Sequence, residues 1–296
     1  MLHKENILED AFAILEQAGF DSAELDEVTI KTCFFNNPSG NYTVNEYLKY
    51  PDSDSSLKKI QSLCLKHNVR ISQMHAPAPL WNMEEQKKRI RILSGISDTL
   101  GCRTIVIHPY TGKESDAPKT CSGSYNAKDW SAYYKWLFEQ TAGMLELICA
   151  EAKKSGVRIA LENQIDAKGF GGRWIGGHPA DMENLFDSIE NLGLNLDTAH
   201  ACAQQLDIPS VIQWAGGRLF GLHISDSDGS VRDYHLTPGK GTLDWKKIMA
   251  ALFKSPYDGD FNLEIVNERK ETFGLSAATA REAKATVDNL LNLGNI

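Results

Sequence analysis

The run Ile159-Ala160-Leu161-Glu162-Asn163-Gln164 decides the fold. A short apolar segment ends there abruptly in a carboxylate and two amides. On its own it describes any buried strand running out into a loop, but the pattern recurs. LNLDTAH (194–200) ends in Asp197 and His200, LFGLHIS (219–225) carries His223, and FNLEIV (261–266) carries Glu264. Upstream, ISQMHAP (71–77) carries His75 and TIVIHP (104–109) carries His108. Each is an apolar run of strand length with a metal-competent side chain at or near its C-terminal end. The working premise is that these ends converge on one site.

Between the strands the spacing is helical. KENILEDAFAILEQA (4–18) places Ile7, Phe12, Ile14 and Leu15 at helical intervals, with Gly19 as C-cap. Further helices are predicted over 55–67, 84–100, 131–154, from Pro179, over 209–215, after Trp245 and over 276–292. Strands are predicted at 22–28, 69–75, 104–109, 157–162, 192–197, 219–225 and 261–266. Alternating elements, with strands apolar on both faces, imply a parallel sheet covered by helices. No linker and no tandem repeat divides the chain, which reads as one domain over 1–296. Ligand-type residues follow nearly every strand, as the C-terminal face of a (β/α)8 TIM barrel requires. An open doubly wound sheet would gather its site at one switch point. Seven strands are one short of eight, and the chain opens on a helix. The first strand is therefore short or missing, or residues 1–3 or a loop segment stand in for it.

Composition narrows the class. Hydrophobic content of 42% and charged content of 24% suit a soluble globular protein. No apolar run reaches the ~20 residues a bilayer span needs. Acidic residues stand in MLHKENILEDAF where a signal peptide wants a basic head and apolar core, so a cytoplasmic location is expected. The six cysteines are scattered without a CxxC pair, which favours free thiols over a disulfide framework. A formal net charge of −8 weighs against nucleic acid as partner. No GxGxxG or GxxxxGK[ST] points to a dinucleotide or P-loop site.

Glu162, Asp197, His223 and Glu264 supply three carboxylates and one imidazole from four successive strand ends. That donor set suits a hard or borderline dication: Mn²⁺, Mg²⁺, Co²⁺ or Zn²⁺. Singly, each acid reads as well as a helix cap or an arginine partner. Together, converging charges would repel one another without a cation among them. His200 lies three residues after Asp197 and can face the same mouth. Asp233 and His235 flank Tyr234 and share a face if the segment is extended, able to bind a second metal or a substrate. His75 and His108 precede proline-containing loops. A lone histidine of that kind is more often a hydrogen-bonded core residue than a ligand, but here the pattern repeats. GFGGRWIGG (169–177) lacks phosphate-cradle spacing; it reads as a cover over the mouth, with Arg173 a cation and Trp174 an apolar plate, or as a plain surface loop. Phe34, Phe35, Trp81 and Tyr110 also follow strands and read as pocket walls or packing.

At these residues the chain resembles the xylose isomerase-like barrel superfamily, from AGFDSAELD (18–26) to FNLEIV. That group includes sugar and inosose isomerases, epimerases, dehydratases and the endonuclease-four nucleases of abasic DNA. Its ketose 3-epimerase branch holds a metal on Glu, Asp, His and Glu in this order, which Glu162, Asp197, His223 and Glu264 match; His200 matches the histidine after the Asp. The resemblance implies that the two glutamates act as the acid/base pair. Two positions depart from it: Gly229 stands where that branch has an arginine, with Arg232 nearby, and Lys168 where it has a glutamate. The nuclease branch binds three zinc ions with nine residues, and His75, His108, Glu162, Asp197, His200, His223, Asp233, His235 and Glu264 match them in type and order. The loop text differs, with ENQIDA after the glutamate and DYH in place of DRH, and the DxHxxPGxGxxxW loop (233–245) is shared with sugar enzymes. The long loops also lack the basic, intercalating character of a DNA-bending enzyme.

The sequence therefore predicts a divalent-metal-dependent isomerase or epimerase of a small keto-sugar or polyol, with Glu162 and Glu264 catalytic. His75, His108, Arg173, Trp174, His200, Asp233 and His235 are expected to bind substrate. A trinuclear-zinc phosphodiesterase and a non-catalytic sugar-binding barrel are the alternatives. Barrels of this group often pair, so a homo-oligomer is compatible with the chain.

Overall fold

A computed structural model describes residues 4–26, 53–79, 82–109, 130–166, 175–265 and 277–293. Elements alternate along them: α1 (Lys4–Ala18), β1 (Ser22–Leu25), α2 (Ser53–His67), β2 (Arg70–His75), α3 (Met83–Leu100) and β3 (Thr104–Ile107). Next come α4 (Trp130–Lys153), β4 (Arg158–Glu162), α5 (Pro179–Ser188), β5 (Leu192–Asp197), α6 (Thr198–Ala203) and α7 (Ile208–Ala215). The described chain closes with β6 (Leu219–His223), α8 (Trp245–Lys254) and α9 (Ala277–Asn292). The strands form one sheet in sequential order, each pair parallel. Sequential parallel order with intervening helices is the winding of a TIM barrel.

Local chemistry sets these boundaries. Asn82 caps α3, its side chain accepting from the N–H groups of Glu84 and Glu85 at 3.0 and 3.1 Å. The same helix ends at Gly101, whose φ of 75° lets its N–H turn back to the last carbonyls. Asp207 and Asp244 cap α7 and α8 in the same way as Asn82. The strands are buried because helices cover one face and the barrel interior the other: every residue of β3 and β5 is buried. Ile105, Ile107, Ile159, Leu161, Leu194 and Leu196 join the helix faces in one apolar cluster.

Of the seventh predicted strand, 261–266, residue 266 lies outside the described residues, and 261–265 pair through a single parallel bridge, Ile224 to Leu263. The Ile224 N–H donates to Asn262 O at 2.8 Å and Ile224 O accepts from Glu264 N–H at 3.1 Å. Asp260 is drawn across the gap, accepting from Ser22 Oγ at 3.2 Å and pairing with the Arg70 guanidinium. Asn262 Oδ1 likewise accepts from Ser72 Oγ at 2.6 Å. Side chains, rather than a full ladder, link this segment to β1 and β2. Residues 1–3, and 27–28 of the first predicted strand, lie outside the described residues. The short helix α6 was not expected; Asp197, read as a ligand, also caps it.

Candidate metal centre

The strand ends do meet. Glu162, the last residue of β4, is the hub: its Oε2 lies 2.9 Å from His75 Nε2 and 3.0 Å from His108 Nε2. Its Oε1 lies 3.3 Å from His200 Nδ1 and 3.4 Å from His223 Nδ1. Histidines from four different strand ends or the turns after them thus face one carboxylate that is 2% exposed. His223 Nδ1 also lies 2.9 Å from Glu264 Oε2. Asp233 joins from the loop after β6, with Oδ1 2.7 Å from His235 Nε2 and 3.3 Å from His200 Nε2. His75 stacks on His223 at a 5.6 Å ring separation, so the imidazoles form a packed wall.

The framework is fixed by backbone-directed amides. Asn163 follows Glu162 and clamps β4 to β5: its Nδ2 donates to Asp197 O at 3.0 Å and its Oδ1 accepts the Asp197 N–H at 2.7 Å. Asp197 Oδ1 accepts the His200 N–H at 2.7 Å, which turns the other oxygen, Oδ2, inward. A second buried carboxylate, Asp226, shapes the 233–245 loop. It accepts from the N–H groups of Ser227, Gly239 and Leu243 and from Trp245 Nε1, at 2.8 to 3.1 Å.

Burial and charge oppose each other here. Burial would raise Glu162, but the surrounding imidazoles (His223, His108 and His75) hold it well below the usual carboxylate range. Burial pushes Asp197 up to about 6 despite His200 and His235. The histidines move the other way: burial would lower His75, yet Glu162 holds it up to about 9. Against burial, Asp197 and Asp233 hold His200 up to about 10, and Asp233 and Asp197 hold His235 up to about 9. Protonated imidazoles act as the counter-charge to a carboxylate cluster.

That counter-charge leaves atoms without hydrogen-bond partners. Asp197 Oδ2, His223 Nδ1 and Glu264 Oε2 are buried and unpaired. Even the 2.9 Å approach of His223 Nδ1 to Glu264 lacks hydrogen-bond alignment. Buried polar atoms that converge without hydrogen-bond partners suit a cation taking the place of the imidazole proton among them. Glu162, Asp197, His223 and Glu264 offer ligand atoms all within 4.8 Å of one another, so the residues fit a divalent metal. Two further groups meet the same criterion, His75 with Glu162 and His223, and Asp197 with His200 and His235.

All the strand-end and loop residues singled out in the sequence, His75, His108, Glu162, Asp197, His200, His223, Asp233, His235 and Glu264, are therefore brought together. Arg173, Trp174, Phe34, Phe35, Trp81, Tyr110 and Lys168 lie outside the described residues. Arg232 is turned to the Tyr234 hydroxyl at 3.1 Å on the exposed loop. Sequence reasoning missed Glu24, whose Oε2 lies 2.9 Å from His223 Nε2; an acid inside the short run SAEL was the available signal. It also passed over Asp226, which follows a strand as the ligands do. No helix among the described residues is long and apolar enough to cross a membrane.

Comparison with known proteins agrees with this architecture. Inosose isomerase from Bacillus subtilis (strain 168) is 28% identical over 162 residues, 48% of this chain and 58% of that protein. The crystal structure of a D-tagatose 3-epimerase-like protein superposes with a TM-score of 0.67 at 21% identity, covering 94% of this chain and 90% of its own. The structure of IOLI protein with a bound zinc atom gives a TM-score of 0.64 at 20% identity, over 98% and 93% of the two chains. Residues 12–291 match the family described as the xylose isomerase-like TIM barrel, and the chain belongs to that family.

Proposed function

We propose that the chain is a divalent-metal-dependent isomerase or epimerase of a small keto-sugar or polyol, acting as one domain over 1–296. The observation that carries this reading is the convergence of Asp197 Oδ2, His223 Nδ1 and Glu264 Oε2, buried and unpaired, beside Glu162. Those four residues would hold the ion; Mn²⁺, Mg²⁺, Co²⁺ and Zn²⁺ suit the donor set. A bound cation there supplies polarisation of a substrate carbonyl and charge stabilisation of the enediolate formed on proton loss.

The rest is the work of side chains. Glu264, with 34% of its side chain exposed, is the member of the set that reaches a ligand entering the mouth. Its carboxylate takes the proton from the carbon α to the carbonyl, and the C–H electron pair moves toward the carbonyl oxygen. Glu162, on the floor of the site, passes to carbon a proton drawn from the His75 imidazolium 2.9 Å away, from the opposite face for epimerisation, and the proton on Glu264 leaves to solvent. His200, His235, Asp233 and Arg173 orient hydroxyls; His75 and His108 line the opposite wall, and Trp174 offers an apolar plate. The inosose isomerase and the epimerase-like structural neighbour support this substrate class. Gly229 and Lys168, in place of an arginine and a glutamate, argue for a substrate other than that of the ketose 3-epimerases.

The test is proton exchange. Metal-loaded protein in deuterated water should incorporate deuterium at the carbon α to the carbonyl of at least one member of a keto-sugar and inosose panel. Binding without exchange across the panel would point instead to a non-catalytic sugar-binding barrel. One observation favours a second reading, a three-metal phosphodiesterase: three ligand groups, two of them sharing Glu162, lie side by side. Cleavage of abasic DNA with no exchange on any sugar would select it.

A further inference from the structure

We infer that Glu24 is a positioning residue for the metal centre, holding the His223 imidazole with its Nδ1 lone pair aimed at the ion. This rests on the metal-centre reading above. An imidazole can bind a metal through one nitrogen only if its proton sits on the other. His223 is 1% exposed, and its two nitrogens face different groups. Nδ1 is unpaired and turned to Glu264 and Glu162, while Nε2 lies 2.9 Å from Glu24 Oε2. Glu24 keeps a proton on Nε2, with which it makes an aligned hydrogen bond, whereas Nδ1 makes none and is the nitrogen that would give up its proton to ligate. The charge of Glu24 also makes the ring a stronger donor.

Glu24 is itself held. Gln73 Nε2 donates to the same Oε2 and lies 3.3 Å from Asn195 Oδ1 and 3.4 Å from Leu222 O. This polar layer occupies a barrel interior that branched apolar side chains ordinarily fill. Room for it comes from Gly221, where a Cβ would lie 2.4 Å from Asn195 Oδ1 and 2.8 Å from Gln73 Oε1. β1, β2, β5 and β6 therefore all contribute to one device beneath a single ligand.

Titration of the metal-stripped chain with Co²⁺ tests this through affinity and the visible spectrum. Glu24→Gln keeps the shape and an acceptor oxygen but removes the charge; its Co²⁺ affinity should fall roughly 10-fold, and that of Glu24→Ala up to about 100-fold. Both should shift the Co²⁺ absorption bands, which a merely structural role would leave in place. On the unaltered Zn²⁺-loaded chain, nitrogen NMR should show His223 protonated at Nε2, a result that needs no variant to fold. Native affinity and spectrum in both variants, or a proton on Nδ1, would overturn the inference. His223→Ala is the control: Co²⁺ binding unchanged by that substitution would refute the metal-centre reading itself.

Discussion

The two ends of the barrel treat charge in opposite ways. At the N-terminal end, Arg70 and Asp260 pair where water reaches them, with side-chain exposures of 55% and 21%. Arg158 nearby lies over the Phe220 ring at 4.8 Å. At the C-terminal end, Glu162, Asp197 and His223 are almost fully buried, and Asp197 Oδ2 and His223 Nδ1 have no hydrogen-bond partner. Solvated pairs are cheap to form and contribute little; buried carboxylates are costly and persist only where something recovers the cost. The first end ties the segment around Asp260 to β1 and β2. The second has the donor set and the unpaired atoms on which the proposed metal centre rests.

Substitution separates the two ends most sharply at the hub. Glu162→Gln should lower turnover by ~10³-fold or more, since it removes a proton carrier and a ligand charge together; retained turnover would sink the acid–base assignment. Asp226→Ala comes next. It strands the N–H groups of Ser227, Gly239 and Leu243 and the Trp245 indole, all now bonded to one carboxylate. Denaturant unfolding should register a loss of about 3–5 kcal/mol, because buried donors left unpaired are expensive.

The metal-free protein should also respond to pH in a direction set by its imidazoles. His75 and His235 are held up to about 9 and His200 up to about 10, above the ordinary 6.5. Stability from their protonation is complete below about 6.5 and is lost as pH rises through about 9 to 10. Glu264, lowered to about 2 from 4.5 by His223 and His235 against burial, behaves in the opposite sense. Its contribution is present above about 4.5 and lost as pH falls towards 2. Thermal unfolding of stripped protein should therefore weaken on the alkaline side, and loading with metal should blunt that loss. His223, held well above its ordinary value by Glu24, Glu162 and Glu264 against burial, must shed a proton to ligate. Metal uptake should then release protons, which calorimetry in buffers of different ionisation enthalpy detects. Smallest of all, Arg70→Ala at the other end should cost no more than about 1 kcal/mol and leave turnover unchanged.

The pattern of the strands that carry the candidate ligands was legible because apolar runs that stop at a charge mark both the strand and the end where such side chains gather. Glu162, Asp197, His223 and Glu264 were visible for that reason. Glu24, Gln73 and Asn195 were not, since polar residues inside strands point into or out of a barrel according to register, which only pairing reveals. Short α6, with six residues, offered too little periodicity to be seen. The segment 261–266 reads as a strand, yet its described residues pair through one bridge, and Asp260 before it reaches Arg70 and Ser22, a long-range attraction that no local pattern encodes.

Metal content per chain, on untagged protein purified without added metal, tests the central claim most directly. Near one equivalent, exchangeable with Mn²⁺ or Co²⁺ and lost on Glu162→Gln, is the predicted result. Close to three zinc ions per chain would contradict the single-metal sugar enzyme in favour of the phosphodiesterase, and a chain that retains and takes up no divalent metal would contradict the metal centre altogether.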